Sequence, residues 1–203
     1  VARRGRLVLE EYFQGQDERR GASLGNVSFD AARLHDLRSV SKSIVSLLYG
    51  IQLADGRVPG PDAPLMAHFP EYPELAADPA RQALTIGHVL TMQMGLEWNE
   101  VLPYTDPRNS ETQMDRQPDK LRYVLSRRVV DAPGGQWNYN GGATVVLARL
   151  IEKAAGKPLM EVARETLLDP LEITKAEWVA DRNGEAFAAS GLRLRPRDLL
   201  RIG

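Results

Sequence analysis

The sequence predicts an α+β fold, and three observations carry that prediction. Strand-like segments gather near the two ends of the chain, at residues 7–13 and 177–180. The stretches between them carry the apolar spacing of amphipathic helices. Strands and helices do not alternate as they do around a parallel sheet.

Taken in order, Arg4-Gly5 reads as a turn and residues 7–13, rich in Leu, Val, Tyr and Phe, as a strand. Residues 15–26 are polar and glycine-containing and read as a loop. From Ser39, the spacing of Ile44, Val45, Leu47, Leu48, Ile51 and Leu53 predicts a helix to about Ala54. That helix is buried over much of its circumference and ends with Gly56 as its cap. Residues 58–73 hold too much proline for long regular structure. Thr85 caps a short helix over 86–94, which Gly95 ends. Residues 97–117 form a polar, irregular connection of the kind that carries binding residues.

Residues 120–128 read as a helix, followed by the turn Asp131-Ala132-Pro133-Gly134-Gly135. Residues 143–155, with Val146, Leu147, Leu150 and Ile151 on one face, predict a strong helix closed by Gly156. Pro158 opens the next helix and Pro170 follows its end. Residues 177–180 read as a strand and Asp181-Arg182-Asn183-Gly184 as a hairpin turn, with 186–190 as the returning partner. Pro196 starts a last helix.

The composition narrows the function classes. The 203 residues carry 26 Lys+Arg against 27 Asp+Glu, and no basic stripe that would track a nucleic acid. No apolar run reaches the length of a membrane span; the best, 143–151, is cut by Arg149. The absence of cysteine excludes disulfides, thiolate metal sites and a cysteine nucleophile. His35, His68 and His88 are widely spaced and read as structural or surface residues, not as a metal set.

The chemistry begins at Ser39 and Lys42. A helix brings positions i and i+3 onto one face, so hydroxyl and amine can touch, and the amine can take the hydroxyl's proton. By itself Ser-x-x-Lys is a weak signal, and its plain alternative is a helix N-cap followed by a solvated lysine. Two details favour chemistry. Lysine is scarce here, confined to Lys42, Lys120, Lys153, Lys157 and Lys175, while arginine, which cannot act as a base, is abundant. Lys42 also sits in the first turn of a helix that the apolar pattern buries. A second constellation is Trp137-Asn138-Tyr139-Asn140-Gly141-Gly142, where glycines let backbone and ligand approach closely beside a tyrosine. Its alternative is a tyrosine packed in a loop with its hydroxyl bonded to backbone.

Together, Ser39-Val40-Ser41-Lys42-Ser43 and the later Pro133-Gly134, Trp137 and Tyr139 resemble the serine β-lactamase-like superfamily. The closer resemblance is to its class C β-lactamase-related branch of esterases, D-alanyl-D-alanine peptidases and 6-aminohexanoate-dimer hydrolase. Further segments fit in order: residues 85–92 with Gly95-Leu96, residues 147–153, and Ser190-Gly191-Leu192 followed by Pro196-Arg197-Asp198-Leu199.

The resemblance implies Ser39 as the acylated nucleophile, Lys42 as its proton acceptor or network holder, and Tyr139 as general base and leaving-group acid. Burial and the helix dipole both disfavour a cation at Lys42, while a charged Lys42 favours Tyr139 as phenolate; both routes stay open. The backbone N–H of Ser39 would be one oxyanion donor. No metal or organic cofactor is implied.

The sequence departs from the family pattern in two places. The second motif is usually Tyr-x-Asn, and here Gly141 stands in the asparagine position, so Asn140 and Asn109 become the candidates for the substrate-holding amide. A third motif, Lys-Ser/Thr-Gly or His-x-Gly, is expected beyond Gly203, and with it the strand that supplies the second oxyanion donor. The implied architecture is an antiparallel sheet flanked by helices. Residues 1–56 and 141–203 form the sheet domain, and a helical lobe over 57–140 carries part of the cleft, with Ser39 at its floor. The implied function is a serine hydrolase of small esters or amides. The alternative is a non-catalytic member that binds a peptide or a protein.

Overall fold

The structure, a computed structural model, describes residues 1–203. The chain opens with a minimal hairpin, β1 (Ala2–Arg3) against β2 (Arg6–Leu7). The strand expected over 7–13 stops at Leu7. The N–H groups of Val8 and Leu9 both turn to the carbonyl of Val1, so no partner strand meets this run. β-propensity alone does not make a strand where no ladder is available.

A second hairpin, β3 (Gln14–Arg19) with β4 (Ala22–Ser28), occupies the stretch expected to be a loop. Its two-residue turn has Arg20 at φ 50° and Gly21 at φ 84°, the backbone a type I′ hairpin demands. The apolar alternation that marks a half-buried strand is absent because Asp17 is the single buried residue of the two strands. β5 (His35–Asp36) then leads into α1 (Val40–Ala54), which ends at Asp55 with Gly56 at φ 69°, as expected.

After a single 3₁₀ turn at Leu65–His68 come two short helices, α2 (Pro73–Ala76) and α3 (Pro79–Gln82), and then α4 (Ile86–Leu90). Thr85 caps α4 in a capping box with His88. The helix is shorter than expected because Met92 turns to φ 56°. The irregular connection over 97–117 contains one further helix, α5 (Ser110–Asp115). α6 (Lys120–Leu125) and the fifteen-residue α7 (Gly141–Ala155) follow, and Gly156 closes α7 in the left-handed region. α8 (Leu159–Ala163) continues into a π-helical turn, Arg164–Leu168.

The chain finishes with β6 (Ala176–Trp178), β7 (Leu192–Leu194) and α9 (Pro196–Ile202). The partner of β6 is β7, not residues 186–190, where Ala186 makes one isolated bridge to Ala180. Residues 187–191 fold into tight turns, and a Cβ on Gly191 would lie 2.9 Å from the carbonyl oxygens of Phe187 and Val179.

Every strand pair is antiparallel, in the order β5-β7-β6 for the three-stranded sheet, and the class is α+β. Buried Arg193 of β7 ties that sheet together, pairing with Asp36 of β5 at 2.6 Å and with Glu177 of β6 at 3.1 Å. α1 packs on α7, which also meets α4, α6 and α8. One apolar cluster runs through these helices and includes Val45, Leu48, Leu65, Val124, Val146 and Ile151. Each such side chain adds about 1.5–3 kcal/mol by leaving water. No helix is long and apolar enough to cross a membrane. The consequence for function is that the N-terminal ends of α1, α5 and α7 meet at one place.

Candidate active site

Ser39 arrives there through a tight turn. The N–H of Leu37 bonds to the carbonyl of Leu192, which pins the end of β5, and Arg38 then adopts φ 50°. A non-glycine residue in that region stores about 1–3 kcal/mol of strain. The Arg38 side chain pairs at the surface with Glu18. Ser39 occupies the N-cap position of α1, yet its hydroxyl makes no capping bond. Its backbone N–H donates to no protein acceptor. Both groups are left without structural duty at an exposed position.

Lys42 lies one turn on and is buried, 8% exposed. Its Nζ is 3.3 Å from Ser39 Oγ, 3.0 Å from the carbonyl oxygen of Ala189 and 3.5 Å from Glu111 Oε2. Three acceptors thus surround a group that has three N–H donors when charged. The Lys42 Nζ also lies 5.0 Å from the centre of the Tyr139 ring. Tyr139 is positioned by its neighbours. The Asn138 N–H donates to the carbonyl of Met92, the Asn138 amide donates to the carbonyl of Trp98, and Asn140 starts α7. The structure therefore brings Ser39, Lys42 and Tyr139 together from segments that are 100 residues apart at their extremes.

The two asparagines expected to hold substrate do something else. Asn140 is buried and its Oδ1 accepts from the Ala143 N–H at 3.1 Å, as the N-cap of α7. Asn109 is fully buried, accepts from the Thr112 N–H at 3.1 Å and donates to the Leu102 carbonyl at 2.7 Å. Helix starts leave backbone N–H groups without partners, and these side chains are used to satisfy them. Gly141 carries no side chain toward substrate, and a Cβ there would overlap Glu111 Oε2 and come within 3.2 Å of Glu100 Oε2.

Those two carboxyls line the same cluster and are the members that sequence reasoning missed. Glu111 of α5 is 3% exposed, and its other oxygen accepts from Ser190 Oγ at 3.1 Å. Glu100 accepts from the Trp98 indole and the Gly141 N–H, both at 2.6 Å, and from the Tyr104 hydroxyl at 3.1 Å. Their only sequence signal was membership of the polar connection over 97–117, where a carboxylate reads as solvated.

Burial, reinforced by the hydrogen bond and charge of Glu111, pushes Glu100 up to about 7 from an ordinary 4.5. Burial likewise pushes Asp115 up to about 6 against the pull of Arg20. A carboxyl raised in this way holds its proton more tightly when folded. Its stabilising effect is full below the unfolded value and is lost as pH rises through the folded one. Thermal stability should therefore fall between about pH 5 and 7, and Glu100→Gln should flatten part of that fall. Melting curves across this range check it; an unchanged slope in the variant would show that Glu100 does not titrate there.

The apolar groove lined by Leu7, Leu9, Tyr12, Phe13, Pro196 and Leu200 shares no residue with this cluster. A sequence-family model described as Beta-lactamase matches residues 1–202. The chain belongs to the beta-lactamase family. It is 28% identical over 211 residues to 6-aminohexanoate-dimer hydrolase of Paenarthrobacter ureafaciens, covering 98% of this chain and 49% of that protein. It is 30% identical over 154 residues to esterase EstB of Burkholderia gladioli, covering 72% of this chain and 39% of that protein. The chain thus spans half or less of the length of these curated relatives.

Among solved structures, EstCE1, a hydrolase with promiscuous acyltransferase activity, superposes with a TM-score of 0.70 at 17% identity. That match covers 91% of this chain and 64% of the other. It shows that the two chains share a fold.

Proposed function

We propose that this protein is a serine hydrolase that forms an acyl-enzyme on Ser39 and hydrolyses small esters or amides. The observation that carries the reading is the 3.3 Å contact between Lys42 Nζ and a Ser39 hydroxyl that caps nothing. The names of the relatives, 6-aminohexanoate-dimer hydrolase and esterase EstB, support the substrate class.

In this reading Ser39 Oγ attacks the carbonyl carbon while its proton passes to Lys42 or to Tyr139. The oxygen of the tetrahedral intermediate takes the unpaired N–H of Ser39 as one donor. Tyr139 gives a proton to the departing alcohol or amine, and the ester to Ser39 remains. Water then adds to that ester, giving its proton to the same base, and the acid leaves as Ser39 regains its hydrogen. The segment 57–140, which contributes Glu100, Glu111 and Tyr139, forms one wall of the cleft, and residues 1–56 and 141–203 form the other.

The test is a comparison of rates on a nitrophenyl ester, a chromogenic cephalosporin and a D-Ala-D-Ala peptide. The ester is expected to turn over fastest, because Gly141 stands where the family's second motif has its amide. A faster cephalosporin rate would replace the esterase reading by a β-lactamase. Binding of the peptide with no turnover of any of the three would replace it by a binding module.

A further inference from the structure

Lys42 is the one group of the site with a buried counter-charge, and that charge comes from a residue outside the Ser39, Lys42 and Tyr139 set. We propose that Glu111 is a positioning residue for the reaction on Ser39: its carboxylate anchors the Lys42 ammonium beside the hydroxyl from the space that glycine at position 141 leaves open, which leaves Tyr139 as the group that takes the Ser39 proton. The proposal rests on the serine-hydrolase reading above and adds to it the group that sets the geometry of the pair.

Four observations carry it. The contact is made away from water: the side chains of Lys42 and Glu111 are 8% and 4% exposed and 3.5 Å apart. A charge buried to that degree requires a partner, and removing one partner leaves the other uncompensated. Both oxygens of Glu111 are engaged, one with Lys42 and one with Ser190 at 3.1 Å. Ala189, next to Ser190, gives Lys42 its carbonyl at 3.0 Å. Glu111 therefore ties α5, the Ala189-Ser190 turn and the first turn of α1 into one unit around the amine.

The third observation is steric. A Cβ on residue 141 would lie 3.1 Å from the Glu111 carboxyl carbon and would overlap its Oε2. The Glu111 carboxylate thus occupies volume that a side chain at 141 would take, and even a methyl group there would push it aside. The fourth is the support behind Glu111. Glu100, whose Oε2 lies beside position 141 together with that of Glu111, is itself fixed by Trp98, Tyr104 and the Gly141 N–H. Asp115, paired with Arg20, lies further along α5, and Lys120 of α6 acts on it from the other side.

The test uses Glu111→Gln, which keeps the shape and removes the charge, and Glu111→Asp, which keeps the charge. The rate of fluorophosphonate labelling and the turnover of a nitrophenyl ester are measured in the full-length protein, with folding checked by thermal melting. Glu111→Gln is expected to lower labelling and kcat about 100-fold while KM changes only a few-fold, as misplacement of a catalytic group does. Glu111→Asp is expected to recover a large part of that loss. Wild-type rates in Glu111→Gln would overturn the proposal, and so would equal losses in both variants, which would mark Glu111 as a packing residue.

If Glu111→Gln does not fold, Gly141→Ala applies the same test by displacing the carboxylate without removing it: slowed labelling in a folded protein supports the proposal, and an unchanged rate overturns it. Labelling that survives in Ser39→Ala would overturn the nucleophile and the proposal together. A failure confined to position 111 leaves the nucleophile standing.

Discussion

Ser39→Ala is expected to abolish labelling by a fluorophosphonate probe and to lower ester turnover by about 10⁴- to 10⁶-fold. Removing the nucleophile of a covalent mechanism leaves only binding and the oxyanion donors. The prediction is sharp because the change is small in every other respect. The Ser39 hydroxyl makes no cap bond and contacts only Lys42, so its loss removes one long hydrogen bond at an exposed position. Surface changes of this kind alter stability by about 0.5 kcal/mol or less. A labelled, active and normally melting Ser39→Ala protein would rule Ser39 out.

Tyr139→Phe is the second large effect. It removes one oxygen and keeps the ring that lies 5.0 Å from Lys42 Nζ, so packing and the cation–ring contact persist. If Tyr139 moves the proton to the leaving group, turnover of an amide should fall by about two to four orders of magnitude. A nitrophenyl ester, whose leaving group needs no proton, should lose less. That difference between substrates distinguishes an acid–base role from simple positioning; near-normal rates on both would remove Tyr139 from the mechanism.

Much of the fold could be read from the order of residues, and the failures share one cause. α1, α7 and α9 were legible because their apolar spacing, caps and prolines are local signals. The β3-β4 hairpin was not, since its faces bury almost nothing and its turn relies on Arg20 accepting φ 50°. The run over 7–13 failed in the opposite sense: its residues suit a strand, but strands exist by pairing, and pairing is not a local property. β6 pairs with β7 and not with the expected return at 186–190 for the same reason, because register belongs to two segments and not to one.

The candidate site divides along the same line. Ser39 and Lys42 were readable because a helix puts residues three apart on one face, whatever surrounds it. Tyr139 became a candidate through the family resemblance, because a tyrosine among asparagines and glycines by itself also reads as a packed loop residue. Asn109 and Asn140 are taken up as helix caps, and the sequence does not separate that use from substrate contact, because an amide next to a glycine or a serine suits either.

Glu111 was invisible. It stands 69 positions from Lys42 in the chain, and nothing in its neighbours distinguishes it from a solvated carboxylate. The sequence by itself determined the helices and the serine–lysine pair, since these depend on spacing within a few residues. Only the tertiary structure decided what surrounds that pair, because the packing of α5 against α1 and α7, and the gap left by glycine at 141, are set by contacts between distant segments.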